Sequence, residues 1–236
     1  MERGLSIEAR WSGPIEAEDG EGIHGLVIRD DAAYDRLCAR LPAQQVQQQQ
    51  PAPPSADPLR ARPPIDFAAE MLVVVIRSGS MAPLAIARVA EAAGSVIIQF
   101  AAAPVPPEAR PFGVGMYAAA RVARAEGAIE LRGPRVIEDA SALEGAVGEL
   151  VTLRGALSRT RMATIIGVDV DHGSAAGDAP AEATGWLERD EVTRAALDEQ
   201  IARDGQFANR GAGVFYRLVA PDGEGLAPAR RRWLAS

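Results

Sequence analysis

Asp169-Val170-Asp171-His172-Gly173 is the densest chemical grouping in the chain, with two carboxylates and an imidazole at the end of an apolar run. A calcium loop begins with such alternating acids, but it also needs a fifth-position oxygen ligand and a late glutamate. Gly173 stands at position five and Pro180 at position twelve, so the loop fails. An enzyme site here would combine Asp169, Asp171 and His172 with Arg210. Asn209-Arg210-Gly211-Ala212-Gly213 is the first choice for a ligand site. Its exposed amides and its guanidinium could hold an anion or a nucleotide through Asn209, Arg210, Gly211 and Gly213. The competing reading is a tight turn that needs its glycines.

Three other patterns fail on context. Gly113-Val114-Gly115-Met116-Tyr117-Ala118 spells G-x-G-x-x-A, but a dinucleotide site needs a strand before it and a helix after. Here Pro-rich sequence precedes and strand-like sequence follows. No G-x-S-x-G elbow occurs, and Ser80 in Ser78-Gly79-Ser80 reads as a turn residue. The single cysteine, Cys38, lacks a neighbouring imidazole to act as base and cannot form an internal disulfide. It reads as a small buried apolar residue of a helix. The expected cofactor and metal are therefore none, and the catalytic set is none.

The elements that would position these residues are mostly strands. Leu5 to Trp11 alternates apolar and polar residues, the period of a half-buried strand. Ile23 to Arg29 is a second. Asp30 or Asp31 caps a helix over Ala32 to Arg40, whose Tyr34, Leu37, Cys38 and Leu41 form one stripe. Pro42 to Pro64, with the glutamine run Gln47 to Gln50, reads as a flexible loop without core residues. Met71 to Ile76 is uninterrupted apolar sequence, which implies a strand buried on both faces. Leu84 to Ala90 and Ser95 to Ala101 follow as a hairpin turned at Ala93-Gly94. Tyr117 to Arg124 and Ala128 to Leu131 read as a final pair turned at Glu126-Gly127.

In the remainder, Leu150 to Leu157 alternates, Ala163 to Val170 reads as one strand, and Ala183 to Glu188 as another. Asp190 to Ala202 has helical spacing, Val214 to Ala220 is a last strand, and the Arg230 to Arg232 run reads as a solvated tail. Strand, strand, strand, helix, strand fits a small OB-like barrel with one helix. The expectation is therefore a mainly β chain. Residues 1–145 form a sheet or sandwich with one short helix and a loop near 42–64, and residues 146–236 form the OB-like unit.

Composition excludes several classes. All 25 basic residues are arginine, and the net charge is −7. Up to Gly148 there are 14 arginines against 19 acids, and beyond it 11 against 13. Neither part offers a basic surface for nucleic acid. No window approaches 18 uninterrupted apolar residues, so no membrane span is expected. Met1-Glu2-Arg3-Gly4 carries no apolar signal region, so the chain as written reads as cytoplasmic. A start codon set too late would instead allow a periplasmic or extracytoplasmic address.

Ile65-Asp66-Phe67, Met71 to Ile76, the Gly79 turn, Leu84 to Val89 and the proline-bounded Pro104 to Gly113 segment resemble the PrcB-like family, named for a bacterial protease-complex subunit. Val27-Ile28-Arg29 and the Tyr34 helix match its lead-in. The resemblance covers about residues 5–134, with an insertion at the glutamines. Where the family has a Gly-Gly-Tyr-like turn, this chain has Ser80-Met81-Ala82-Pro83-Leu84. The resemblance implies a small β-rich, non-catalytic domain, often secreted or lipid-anchored, that associates with another protein. The function expected is thus a protein-binding or accessory module.

Overall fold

The structure, a computed structural model, describes residues 2–16, 22–46, 52–103, 113–154, 161–165, 168–171, 183–191, 195, 214–219 and 232–235. The chain divides into two units, the first spanning Met1–Gly133 and the second starting at Pro134. The sequence places this boundary near residue 145. The division falls earlier because Arg135–Ile137 (β9) pairs with Leu150–Leu153 (β10) of the second unit.

Among the described residues, eight strands build the first unit: β1 Arg3–Leu5, β2 Ile7–Glu16, β3 Gly22–Ile28, β4 Glu70–Ser78, β5 Leu84–Ala92, β6 Ser95–Ala102, β7 Val114–Ala123 and β8 Ala128–Arg132. They form two four-stranded sheets, ordered β1-β5-β6-β8 and β2-β7-β4-β3. Leu5 to Trp11, which reads as one strand, is divided between them. Leu5 pairs with Val89 in one sheet and Ile7 with Val122 in the other. One segment thus stitches both sheets, with a register irregularity between Ile7 and Ala9.

β4 explains why this unit has three layers. Met71 through Ile76 are all fully buried. Their alternating side chains serve two cores. Met71, Val73 and Val75 pack with Leu84, Ile86, Val96 and Ile98 between the sheets. Leu72, Val74 and Ile76 pack on the opposite face with Tyr34, Leu37, Leu41 and Leu59. That second face is covered by the helix α1, Asp31–Ala39, and by a 3₁₀ turn, Pro58–Ala61. Asp30 caps α1 as expected, its carboxylate accepting from Ala33 N at 2.7 Å. The β5–β6 hairpin turns at Ala93 and Gly94 with φ of 44° and 83°. Both central residues are left-handed, as a two-residue hairpin of matching twist requires.

Two expectations for this unit are overturned. β7 and β8 do not pair with each other. β7, buried along most of its length, lies between β2 and β4, whereas β8 pairs in parallel with β6 at the rim of the other sheet. A strand with apolar residues on both faces belongs inside a sheet, and the exposed Ala128, Ile129 and Glu130 suit an edge. The Pro42 to Pro64 segment is not without core residues either. Leu59 is fully buried and Ala52 nearly so. Gln45 N donates to Pro53 O and Ser55 N to Ala43 O, closing a short ladder. Gln47 to Gln50 lie outside the described residues.

In the second unit, residues 138–149 join β9 to β10 through two 3₁₀ turns, Ala140–Ala142 and Glu144–Ala146. The other strands are β11 Arg161–Ile165, β12 Val168–Asp171, β13 Ala183–Arg189, β14 Val214–Val219 and β15 Arg232–Ala235. Five strands form one sheet, ordered β15-β14-β13-β10-β9, while β11 and β12 pair with each other. Ile137, Leu143, Val151, Leu153, Leu187, Tyr216 and Leu218 make the core of this unit.

Three further expectations change here. Ala163 to Val170 is divided between two strands rather than one, since an apolar β-branched run does not show where the chain reverses. Leu150–Leu153 is buried on both faces instead of alternating, and it lies inside its sheet between β9 and β13. Arg232–Ala235 is no tail: it pairs with β14, Trp233 opposite Tyr216. Among the described residues the five-stranded sheet is open and no barrel closes. Of the expected 190–202 helix, only residues 190, 191 and 195 are described.

Candidate functional site

The predicted loop residues Asn209, Arg210, Gly211 and Gly213 lie outside the described residues, as does His172. The backbone of Asp169 and Asp171 lies in β12, with Asp171 opposite Arg161. Gly113-x-Gly115 leads straight into β7, where a dinucleotide site would need a helix. Ser80 is a turn residue whose Oγ accepts from Ala82 N at 3.1 Å. Among the described residues no three His, Cys, Asp or Glu side chains gather as metal ligands.

The structure does bring together a polar cluster that sequence reasoning missed, between the β2-β7-β4-β3 sheet and the 3₁₀ turn. Tyr117 is fully buried on β7, and its hydroxyl donates to Asp57 Oδ1 at 2.7 Å. The same oxygen accepts from Leu59 N at 2.9 Å, capping the turn. Asp57 Oδ2 is buried without a hydrogen-bond partner. It lies so close against Gly13 of β2 that a Cβ there would collide with it. Sixty residues separate Asp57 from Tyr117, and no local pattern joins them.

Tyr34 and Cys38, one turn apart on α1, border this cluster. Tyr34 meets Phe67 edge-to-face with centroids 5.9 Å apart, and the Arg62 guanidinium sits 5.6 Å from its ring centre. Arg62 also pairs with Asp35. Cys38, which the sequence places in the core, is only half-buried, and its Sγ reaches Leu59 O at 3.7 Å. Burial, followed by the charge on neighbouring groups, pushes the Tyr34 phenol up to about 12. Burial, aided by the hydrogen bond to Asp57, raises Tyr117 further. Burial also raises the Cys38 thiol. All three therefore hold their protons at neutral pH. Tyr117 is a donor rather than a base, and Cys38 is a poor nucleophile. The cluster fastens a segment to a sheet.

A second feature is the outer edge of β9. Ile137 O accepts from Arg154 N at 3.0 Å, so the polar groups of Ile137 face β10. Backbone groups alternate sides along a strand, which turns the N–H and C=O of Val136 outward. Val136 is 47% exposed. Within the same unit Glu144 binds Arg189 and accepts from the Tyr216 hydroxyl at 2.7 Å, tying the second 3₁₀ turn to the sheet. No family model matches this chain, and neither a curated protein nor a solved structure matches it.

Proposed function

We propose that the chain is a non-enzymatic protein-binding or accessory module that accepts a partner's strand at the outer edge of β9. The outward backbone of Val136, at the rim of a sheet whose neighbouring strand β10 is buried throughout, carries this reading. Unpaired edge groups are a template for strand addition, and the main chain supplies the affinity. In this reading the second unit is an OB-like fold left open at β9, so that an edge which a closed barrel would pair stays available. The resemblance of the first unit to the PrcB-like family supports an accessory role, in a protease-associated or envelope-associated complex.

Affinity capture from the native host, followed by mass spectrometry, tests the proposal when wild type and Val136→Pro are compared. Proline removes only an outward N–H, so the β9–β10 ladder survives while an incoming strand loses a donor. A protein captured by the wild type and lost with the variant is the expected result. Equal capture by both would refute attachment at β9. Capture of nothing, with a thermal shift on adding metal or nucleotide, would overturn the binding-module reading itself.

A further inference from the structure

We infer that Ala52–Arg62 is a strap that opens from the first unit independently of its sheets, with Asp57–Tyr117 as the latch. Opening would uncover the apolar socket that holds Leu59 and further expose the half-buried Cys38 thiol. The strap belongs to the first unit alone and is independent of the β9 edge.

The strap is held at few points. Leu59 and Ala52 are its only buried residues, while Pro53, Pro54, Ala56, Pro58, Arg60, Ala61 and Arg62 are exposed. Among the described residues it joins neither sheet, and its rungs run to Ala43 and Gln45 of the preceding limb. Side chains make the remaining attachments: Tyr117 to Asp57, Arg60 to Leu41 O, Cys38 to Leu59 O, and Arg62 to Asp35 and Tyr34.

Two features of the closed state are costly. Arg62 adopts a left-handed backbone at φ 52°, which non-glycine residues seldom do. Asp57 Oδ2 is buried without a partner, and water would satisfy it once the strap lifts. β4, by contrast, is buried on both faces and paired on both edges. Segments with few apolar anchors and costly contacts open well below the global unfolding free energy.

Hydrogen exchange on the full wild-type chain tests this directly. The amides of Leu59, Arg60 and Arg62 are bonded within the strap, to Asp57 Oδ1, Asp57 O and Leu59 O. They should be protected at least ~100-fold less than the β4 amides. Equal protection would overturn the inference. Alkylation of Cys38 under native conditions supplies a second readout. Tyr117→Phe should speed it by up to about tenfold, the factor expected for losing one hydrogen bond to a carboxylate, since Cys38 is half-buried before opening. This variant keeps the Asp57 side chain and its cap on Leu59 N, so only the latch to the sheet is lost. An unchanged rate in a folded Tyr117→Phe protein would also overturn the inference. Should that variant fail to fold, the wild-type exchange pattern decides alone.

Discussion

Tyr117 and Asp57 have the composition of an acid–base pair, but their surroundings set them to a different task. A phenol withdrawn from water and bonded to a carboxylate becomes harder to ionise, so it cannot accept a proton at neutral pH. Tyr34 obeys the same rule under milder burial. Its folded value of about 12 lies above the ordinary value near 10. Folding therefore favours the protonated ring. The stability gained is complete below about pH 10 and is lost as pH climbs through about 12. Absorbance at 295 nm should show Tyr34 and Tyr117 titrating late in the native protein. Tyr34→Phe should remove one late step and Tyr117→Phe the other. Ordinary titration of both phenols in the folded chain would contradict the burial described above.

At the scale of elements, β4 does the most to decide the fold. Its fully buried run from Met71 to Ile76 divides between two cores, so loss of volume on either face should be felt. Met71→Ala opens a cavity between the sheets, and Leu72→Ala opens one beneath α1. Each should cost about 2–5 kcal/mol in urea titrations, where an exposed site would show far less. This double burial was legible in the sequence, because an unbroken apolar run leaves no face for water. The Asp30 cap and the Ala93-Gly94 hairpin were legible for the same kind of reason, since the causes lie within a few residues. Pairing between distant segments was not. Nothing near Ala128 announces that β8 will join β6 in parallel, and the apparent turn at Glu126-Gly127 pointed elsewhere. The latch was hidden for the same reason: Asp57 sits in a proline-rich stretch with the composition of a linker, and its partner is a strand tyrosine. The Asn209 to Gly213 loop falls outside the described residues, so its ligand-site reading rests on the residues alone.

For the molecule as a whole, core membership argues for two separate folding units. Among the described residues, both clusters of the first unit draw on residues between Leu5 and Leu131. Among the described residues, the cluster of the second draws on residues between Ile137 and Leu218. A segment that supplies its own core can bury its apolar surface without help, and about 130 residues suffice for an independent domain. The fragment 1–133 should therefore fold alone, with dispersed amide resonances and a cooperative urea transition. Leu72→Ala introduced into that fragment should lower its stability by the same free energy as in the full chain, because distant sites that share no partners act additively. A fragment that melts without cooperativity would show that the first unit needs the second to complete its core. A Leu72→Ala penalty that differs between fragment and full chain would show coupling that the two separate clusters do not predict.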